Sequence, residues 1–504
     1  MNKKIKNIFG FILILLSITL AVSLNWFLKQ FGQLPIDQYL FHLSVPLDGA
    51  NTDVIGNWSS ECIVPIIIIS IAVHVLLIRL SEEQPQVSFK IKKWKFKLDV
   101  FPFTLFRKNY FKTGVLSCII VCIIAGKSLG VIDYVKTSIR TSSIFEDYYI
   151  SANDVEVLFP EKKRNLILIH LESMEATYTS KENLGAFDYD LIPELTNLAK
   201  ENVSFSHNTG LGGAYSVNGT AWTIAGMVAQ TSGIPLKIPM ESNSYNVYQT
   251  FLPNNIALGD ILADEGYNQT LMIGSDMEFG GRKKYFTQHG DYNLIDKYTL
   301  KEKGYISEDY DVWWGCEDTK LFEFAKKEIL EVASKNEPFN FSILTVDTHF
   351  PDGYLDENAE IIYDKQFKNV LTYSSKIIGE FIDWIKEQEF YENTVIVLVG
   401  DHLSMDNEFF SEQVAPNYQR TVYNAFINSS VTSENISNRI FTTMDIFPSI
   451  LTSMGVTIEG ERLGLGTNLF SKKETMAEEL GIYIFDEELT KKSSFYNSTF
   501  LYGK

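Results

Sequence analysis

Residues 394–402, TVIVLVGDH, consist of a short apolar run followed at once by an aspartate and a histidine. Three other apolar runs end in polar residues in the same way: Leu166–Leu171 before Glu172, Ser342–Val346 before Asp347 and His349, and Thr270–Gly274 before Asp276 and Arg282. Runs of this length between helical patterns are typical of buried parallel strands, and ligands bind beyond the carboxyl ends of such strands. The sequence therefore predicts that four strand ends converge on one site.

Helical patterns lie between the apolar runs. Apolar residues recur at helical spacing in Asn255–Glu265, Thr319–Ser334 and Asn369–Gln388, and Gly266 follows the first of these as a typical C-terminal stop. We expect the apolar stripes of these helices to cover both faces of the sheet. The predicted fold class is α/β, with a mainly parallel sheet flanked by helices in a domain of residues 164–504.

Three longer apolar stretches precede this domain and predict a transmembrane anchor region over residues 1–132. The predicted spans are residues 8–28, 61–80 and 113–132, close to the length of about 20 residues with which a helix crosses a bilayer. Lys127 interrupts the third stretch, but a lysine near a helix end can reach the membrane interface. A cleaved signal peptide is the alternative for the first stretch. It is disfavoured because no small-residue cleavage site follows and two more spans do.

Basic residues are concentrated on one side of these spans. Lysines precede the first span, and the loop between the second and third contains Lys90, Lys92, Lys93, Lys95, Lys97, Arg107, Lys108 and Lys112. The loop between the first and second has Lys29 against the aspartates Asp37, Asp48 and Asp53. By the positive-inside rule the N-terminus and the basic loop are cytoplasmic, so everything after Asp133 is predicted to lie outside.

The composition favours a folded exterior domain without nucleic acid as a partner. Hydrophobic residues make up 45% of the chain, which is enough for a large core, and the net charge of −19 argues against nucleic-acid binding. Of the four cysteines only Cys316 lies outside the spans, so we expect no disulfide within the exterior domain. Residues 133–163, rich in tyrosine and acidic residues, are predicted to form a linker.

Side chains at two of the strand ends suit a hard divalent cation. Glu172, Asp401 and His402 offer carboxylate oxygens and an imidazole but no thiolate, a set that suits Mn²⁺ or Mg²⁺ and accepts Zn²⁺. Singly, an acid after a strand is usually a helix cap, and a lone histidine is usually scaffold. Two donor groups directly after one buried strand shift the balance towards a metal site.

Phosphoryl transfer at such a site also needs a nucleophile, and a metal makes a weak alcohol useful. In LGGAYSVNGTAWTIAGMVAQ, residues 211–230, Thr223 stands where a glycine-containing loop gives way to a helical run. Its hydroxyl would lie beside free N–H groups that can hold phosphate oxygens. Spacing alone favours the simpler interpretation that Thr223 is an N-cap, and Ser216 and Thr220 are competing hydroxyls.

Six motifs in one order carry a resemblance to a known family: NLILIHLESMEATY (165–178), GTAWTIAGMVAQTSGIPL (219–236), WWGCEDTKLFEFAKK (313–327), TVDTHFP (345–351), TVIVLVGDH (394–402) and RLGLGTNLF (462–470). The chain resembles the phosphoglycerol transferases of Gram-negative envelopes and, more distantly, lipoteichoic acid synthase, both of the alkaline phosphatase and sulfatase superfamily. The resemblance covers roughly residues 145–470. It implies a multi-pass protein of the bacterial inner (plasma) membrane with a sulfatase-like catalytic domain in the periplasm or extracellular space.

Carried onto matching positions, the resemblance implies roles for individual residues. The implied metal ligands are Glu172, Thr223, Asp401 and His402, and Thr223 is also the implied nucleophile. Thr223 is preferred to Thr220 because its distance to Pro235 better matches the family's nucleophile segment.

The resemblance also implies a substrate site beside the metal. His349 is similar to a histidine that contacts substrate phosphate and acts in catalysis, Arg282 to a basic residue that grips glycerophosphate, and Asp276 to a further substrate-binding residue. In lipoteichoic acid synthase a tryptophan stands two residues before that arginine, where this chain has Gly280.

The activity implied is transfer of glycerophosphate from phosphatidylglycerol to an envelope glycan such as a periplasmic glucan, an O-antigen or a capsule. A covalent intermediate on Thr223 and Mn²⁺ or Mg²⁺ as cofactor belong to that implication. Three alternatives remain: a phosphoethanolamine transferase, which commonly has disulfides; a sulfatase or phosphodiesterase-type hydrolase; and a non-catalytic envelope scaffold. A sulfatase needs a Cys or Ser in a C/S-x-P-x-R context, which Cys316 in GCEDT does not provide.

Overall fold

The computed structural model describes residues 3–34, 36, 38–39, 53–82, 86–91, 94–99, 110–237 and 250–504. The described residues of 3–33 and 53–133 form one compact unit, and those of 134–504 belong to a second. Some of the charged positions used above to orient the membrane region lie outside the described residues: Asp37, Asp48, Lys92, Lys93, Arg107 and Lys108.

Three apolar helices dominate the first unit: α1 (Lys3–Phe31), α2 (Asp53–Glu82) and α3 (Tyr110–Ser128). They contain stretches of 27, 24 and 19 residues that are long and apolar enough to cross a membrane, which confirms the prediction of three such helices. Helices α1 and α3 approach closely, because a Cβ at Gly114 would lie 2.7 Å from the carbonyl oxygen of Gly10. The third helix ends at Ser128 rather than at residue 132, and Gly130 follows with a φ of +72°.

The strands of the protein follow one another as β1 (Gln86–Ile91), β2 (Trp94–Asp99), β3 (Val157–Leu158), β4 (Asn165–Leu171), β5 (Asn268–Ile273), β6 (Asn293–Ile295), β7 (Phe339–Leu344), β8 (Thr394–Gly400), β9 (Asn424–Ile427), β10 (Thr457–Ile458), β11 (Arg462–Leu463) and β12 (Gly466–Thr467). Strands β1 and β2 form an antiparallel hairpin in the first unit. In the second unit the main sheet has the order β6-β5-β7-β4-β8-β9 among the described residues. All of its neighbours pair in parallel except β9, which runs antiparallel to β8. The predicted mainly parallel sheet is therefore confirmed, and the four predicted strands are its four adjacent central ones.

The other α-helices are α4 (Val131–Ser138), α5 (Ile144–Tyr148), α6 (Pro193–Glu201), α7 (Thr223–Ser232), α8 (Leu258–Asp264), α9 (Arg282–Gln288), α10 (Lys297–Glu302), α11 (Asp318–Ala333), α12 (Gln366–Lys386), α13 (Asn407–Gln413), α14 (Ile446–Ser453), α15 (Met476–Leu480), α16 (Ile482–Thr490) and α17 (Ser494–Tyr496). Three of the helices that sequence periodicity predicted are α8, α11 and α12, each within a few residues of its expected bounds.

Both faces of the sheet are covered by helices. Alternate residues of β4 point in opposite directions, so Ile167 and Ile169 pack into a cluster with α11 and α12, while Leu166 and Leu168 pack with α8 and α14. Every residue of β4 is buried, as expected for a parallel strand between two helical layers. Only the strand ends are left to carry polar chemistry.

Segments at both ends of the second unit join its core. Within the predicted linker, Phe145 of α5 is buried, with its ring centroid 5.1 Å from that of Tyr496 and 6.1 Å from that of Phe500. The residues after Phe470, to which the sequence assigned no role, form α15 to α17 and pack into the cluster that contains α7. Both termini of this unit therefore support the helix that begins at Thr223.

Candidate active site

The strand order brings the predicted metal ligands together. Strands β4 and β8 are neighbours, with Leu171 opposite Gly400, so Glu172 and Asp401 leave the sheet side by side. Together with His402 they form a buried group whose candidate ligand atoms all lie within 4.8 Å of one another. The predicted convergence of strand ends thus produces three closely spaced donors at one edge.

The imidazole of His402 is held in one tautomer. Its Nδ1 lies 2.8 Å from the carbonyl oxygen of Leu403, which can only accept, so Nδ1 carries the proton. Nε2 then faces the carboxylates, 3.5 Å from Glu172 Oε1 and 3.4 Å from Asp401 Oδ2. Burial lowers the pKa of His402, but the charges of Asp401 and Glu172 raise it above its usual value. A backbone partner on the far nitrogen is the arrangement that orients a metal-binding histidine.

Thr223 lies at this cluster and is not an N-cap. The N-cap of α7 is Trp222, and Thr223 is the first helical residue, so the N-cap interpretation of Thr223 is wrong. Its Oγ1 lies 3.3 Å from Glu172 Oε2 and 3.4 Å from His402 Nε2. The competing hydroxyl of Thr220 instead donates to the carbonyl of Val217, 2.9 Å away in its own loop.

A glycine permits this approach of α7 to the end of β8. A Cβ at Gly226 would lie 2.1 Å from the carbonyl oxygen of Asp401, closer than any side chain tolerates. The first turn of α7 therefore packs backbone against backbone on the residue that supplies a candidate ligand. The position of Thr223 depends on this contact.

Neighbouring hydroxyls and amides support the two carboxylates. Ser173 Oγ donates to Glu172 Oε1 at 2.8 Å, and the backbone N–H of Ser173 donates to Asp401 Oδ1 at 2.8 Å. Thr345 Oγ1 accepts from the backbone N–H of Glu172 at 2.9 Å, and Thr348 Oγ1 donates to the Glu172 carbonyl. No sequence pattern predicted a role for these three residues. Their signal was available, since each lies within three residues of a residue already singled out.

The electrostatics of the cluster favour a cation. Burial alone would raise the pKa of Glu172, but His402, His349 and the hydrogen bond from Ser173 hold that pKa below its usual value. Burial, with the charge of Glu172, raises the pKa of Asp401 well above its usual value, and its Oδ2 is buried with no hydrogen-bond partner among the described residues. Two buried carboxylates and an imidazole nitrogen suit a divalent cation, which would relieve the cost of burying both charges.

His349 and Arg282 lie close enough to Glu172 for its charge to raise the pKa of each. Burial lowers the pKa of His349, while the charge of Glu172 raises it and those of His402 and Arg282 lower it. Its Nδ1 lies 2.7 Å from the carbonyl oxygen of Phe350, which leaves Nε2 as the atom that can accept a proton.

The guanidinium of Arg282 is buried but still charged at neutral pH. Burial lowers its pKa to about 10, while the charges of Glu172, Asp276 and Asp401 raise it. Its Nη2 donates to the backbone carbonyl of Asp276 at 2.7 Å, and its Nε has no hydrogen-bond partner among the described residues. A buried cation with an unpaired donor is suited to an anionic ligand.

The carboxylate of Asp276 is engaged by its own loop and by helix α10. It accepts from the backbone N–H of Glu278 at 2.9 Å and from the hydroxyl of Tyr298 at 3.3 Å. The structure therefore places Asp276 where it supports Arg282 through its carbonyl, and does not include its carboxylate among the candidate metal ligands.

An ion pair between half-buried Arg420 and buried Glu175 anchors the loop after His402. Arg420 donates to both carboxylate oxygens of Glu175 and, at 2.7 Å, to the carbonyl of Ser404. The same carboxylate accepts from the backbone N–H of Ser404 at 2.9 Å. No local sequence pattern predicts this pair, because the partners are 245 positions apart.

The chain is similar to known proteins in sequence and in fold. A family model described as sulfatase matches residues 164–456. Among curated proteins, phosphoglycerol transferase I of Escherichia fergusonii is 36% identical over 268 residues, which are 52% of this chain and 34% of the relative. The protein of the same name from Citrobacter koseri is 37% identical over 254 residues, 49% of this chain and 32% of the relative. The chain matches about a third of the length of these relatives.

Solved structures share the fold. The lipooligosaccharide phosphoethanolamine transferase A of Neisseria meningitidis, an integral membrane protein, superposes with a TM-score of 0.51 at 15% identity, covering 89% of this chain and 84% of that one. The lipoteichoic acid synthase LtaP of Listeria monocytogenes superposes with a TM-score of 0.50 at 17% identity, covering 65% of this chain and 80% of that one. The first of these likenesses includes the membrane region as well as the α/β unit.

Proposed function

This chain belongs to the sulfatase family, and we propose that it is a membrane-anchored, metal-dependent phosphotransferase that moves glycerophosphate from phosphatidylglycerol to an envelope glycan. One observation carries the proposal. The hydroxyl of Thr223 stands at a helix N-terminus within 3.4 Å of two candidate metal ligands. The name shared by the curated relatives supports glycerophosphate as the transferred group.

The residues that would hold a divalent cation are Glu172, Asp401 and His402, with Thr223 beside them. A cation bound there, Mn²⁺ or Mg²⁺, would lower the pKa of an adjacent hydroxyl and so make it nucleophilic at neutral pH. The hydrogen bonds that Ser173 makes to both carboxylates keep their oxygens turned towards this point.

The reaction has two steps with a covalent intermediate. In the first, Thr223 Oγ1 bonds to the phosphorus of phosphatidylglycerol, and the phosphorus–oxygen bond to diacylglycerol breaks. The proton lost by Thr223 balances the proton gained by the diacylglycerol oxygen, and glycerophosphate remains on Thr223. In the second step a glycan hydroxyl attacks the phosphorus, and the Thr223 oxygen leaves and regains a proton.

In these steps Arg282 would stabilise charge and His349 would transfer a proton. The positive charge of Arg282, with an unpaired Nε donor, balances charge on the non-bridging phosphate oxygens. Neutral His349 has its Nδ1 occupied by the Phe350 carbonyl, so its Nε2 can take a proton from the attacking glycan hydroxyl. Once protonated, the same atom can donate to a phosphate oxygen.

Cys316 does not supply the nucleophile that the sulfatase alternative needs. Cys316 is fully buried, and its Sγ lies 3.6 Å from the carbonyl oxygen of Glu317. It does not belong to the candidate metal cluster among the described residues. Phosphoethanolamine transfer uses the same threonine chemistry, so it differs from the proposal only in the group that the donor lipid carries.

The decisive experiment is mass spectrometry of the full-length protein after incubation with Mn²⁺ and liposomes of phosphatidylglycerol. We expect a glycerophosphate adduct on the peptide that contains Thr223. Thr223→Ala should abolish the adduct and the release of diacylglycerol while Glu172, Asp401 and His402 still bind Mn²⁺, and Thr223→Ser should retain an adduct at the same position.

Two outcomes would contradict the proposal. Full activity of Thr223→Ala would exclude Thr223 as the nucleophile. An adduct that forms only with phosphatidylethanolamine liposomes would show phosphoethanolamine transfer instead.

A further inference from the structure

The segment WWGCED, residues 313–318, lies against the active site, yet the proposed reaction uses none of its side chains. It connects the region after α10 to the first residue of α11, which is Asp318. Its residues contact the chain directly after two central strands, β5 and β7. These are the strands that precede Arg282 and His349 in the sequence.

Asp318 is fastened to the chain that follows β7 by reciprocal hydrogen bonds. Its Oδ1 accepts from the backbone N–H of Val346 at 2.8 Å, and its Oδ2 accepts from that of Asp347 at 2.9 Å. In return, Asp347 Oδ2 accepts from the backbone N–H of Asp318 at 3.1 Å. Both side chains are buried. The backbone two residues before His349 is thereby fixed to the N-terminus of α11.

Trp314 contacts the ring of His349 from another side. The two ring centroids lie 4.8 Å apart with the planes at 61°, an edge-to-face contact. The Trp314 ring also lies 5.6 Å from that of Phe279, over which the Arg282 guanidinium sits at 5.5 Å. Trp314 therefore contacts His349 and also Phe279, the aromatic neighbour of Arg282.

The backbone of this segment packs directly against the backbone of the residue after β5. A Cβ at Gly274, directly after β5, would lie 2.3 Å from the carbonyl oxygen of Cys316. A Cβ at Gly315 would lie 2.4 Å from the carbonyl oxygen of Gly274. Both Trp314 and Asp318 therefore reach the loop of His349 from a segment whose backbone packs directly against the residue after β5.

We propose that Trp314 and Asp318 are positioning residues for His349: Asp318 fixes the backbone that precedes His349, and Trp314 fixes the orientation of its ring. The inference rests on the proposed function, in which His349 moves a proton. Neither residue exchanges a proton with substrate. Each acts by keeping His349 Nε2 at the distance and angle that proton transfer requires.

A double-mutant cycle in the full-length protein tests the inference. Asp318→Asn keeps one acceptor of the pair and loses the other, and it should lower kcat/KM for phosphatidylglycerol by about 10-fold when His349 is present. In the His349→Ala background the same change should cost less than about twofold, because there is no imidazole left to position. Mn²⁺ binding should be unchanged, since no candidate ligand is altered.

Matched variants guard against a general loss of structure. Glu317→Gln removes a neighbouring carboxylate that contacts Tyr310 and Lys320 instead of the loop, and it should leave kcat/KM unchanged. Trp314→Leu provides the second cycle if Asp318→Asn does not fold. Its control is Trp313→Leu, because Trp313 lies against Tyr354, at 6.3 Å between ring centroids.

The outcomes separate this inference from the proposed function. Equal losses for Asp318→Asn, or for Trp314→Leu, with and without His349 would overturn the inference, as would wild-type kcat/KM in the folded variants. An active wild type that is insensitive to His349→Ala would overturn it as well, while leaving Thr223 as the nucleophile. A wild-type protein that forms no adduct on Thr223 would instead refute the proposed function itself.

Discussion

Replacing Gly226 with alanine should displace Thr223, the proposed nucleophile, from the candidate metal ligands without unfolding the protein. Gly226 lies one helical turn after Thr223, and a Cβ there would lie 2.1 Å from the carbonyl oxygen of Asp401. Ordinary contacts of a Cβ begin at 3.4 Å, so α7 and the end of β8 must separate by about 1 Å. Because the obstructing atom belongs to the backbone, no side chain can turn aside to make room.

The expected loss of activity follows from this displacement. Thr223 Oγ1 lies 3.3 Å from Glu172 and 3.4 Å from His402, and a misplacement of reacting groups by about 1 Å can cost about 100-fold in rate. Stability should change much less. Overpacking costs about 1–3 kcal/mol, and alanine gains about 1 kcal/mol over glycine inside a helix.

The assay is diacylglycerol release from phosphatidylglycerol liposomes by the full-length variant, with a thermal melt of the same sample. Gly126→Ala is the control, because it adds a methyl group to a helical glycine with nothing within 4 Å. We expect kcat/KM to fall by about 100-fold for Gly226→Ala and to stay unchanged for Gly126→Ala. A folded Gly226→Ala protein with activity within about twofold of wild type would show that this close approach does not place Thr223.

Removal of divalent cations with a chelator should abolish diacylglycerol release and lower the melting temperature, because two buried carboxylates would lose their counter-ion. Added Mn²⁺ should restore both. Activity that survives chelation would contradict a metal-dependent reaction. Arg420→Met should lower the free energy of unfolding by about 3–5 kcal/mol, measured with denaturant, because it leaves Glu175 buried and unpaired. Adding Glu175→Gln should recover part of that loss, and a double variant no more stable than Arg420→Met would argue against the ion pair. Cys316 should resist maleimide until the protein is denatured, because burial raises the pKa of its thiol and shields the thiol from the reagent. Labelling of the Cys316 peptide in the native protein would be inconsistent with this packing.

Local patterns predicted the scaffold of the site well. The run before Asp401 is short, apolar and rich in β-branched residues, and it forms β8 with the bounds expected from the sequence. Glu172 follows β4 in the same way. Since parallel strands place their carboxyl ends at one edge, the pattern was sufficient to predict that these carboxylates meet.

The position of the Thr223 hydroxyl could not be predicted from local sequence pattern. Spacing favoured an N-cap, because a hydroxyl where a helix begins is usually one. The structure assigns the N-cap to Trp222 and directs the Thr223 hydroxyl to Glu172 and His402. That direction depends on the contact of Gly226 with Asp401, which joins segments far apart in the chain.

The sequence by itself determined the apolar helices, the buried strands and the acidic and imidazole groups at their ends, because hydrophobic period and run length are properties of neighbouring residues. Only the tertiary structure decided which hydroxyl stands at the carboxylates, that Arg420 pairs with Glu175, and that residues 313–318 reach His349. These contacts depend on the order of strands in the sheet and on the paths of the loops between them. Close packing of distant segments sets both, and no local periodicity encodes it.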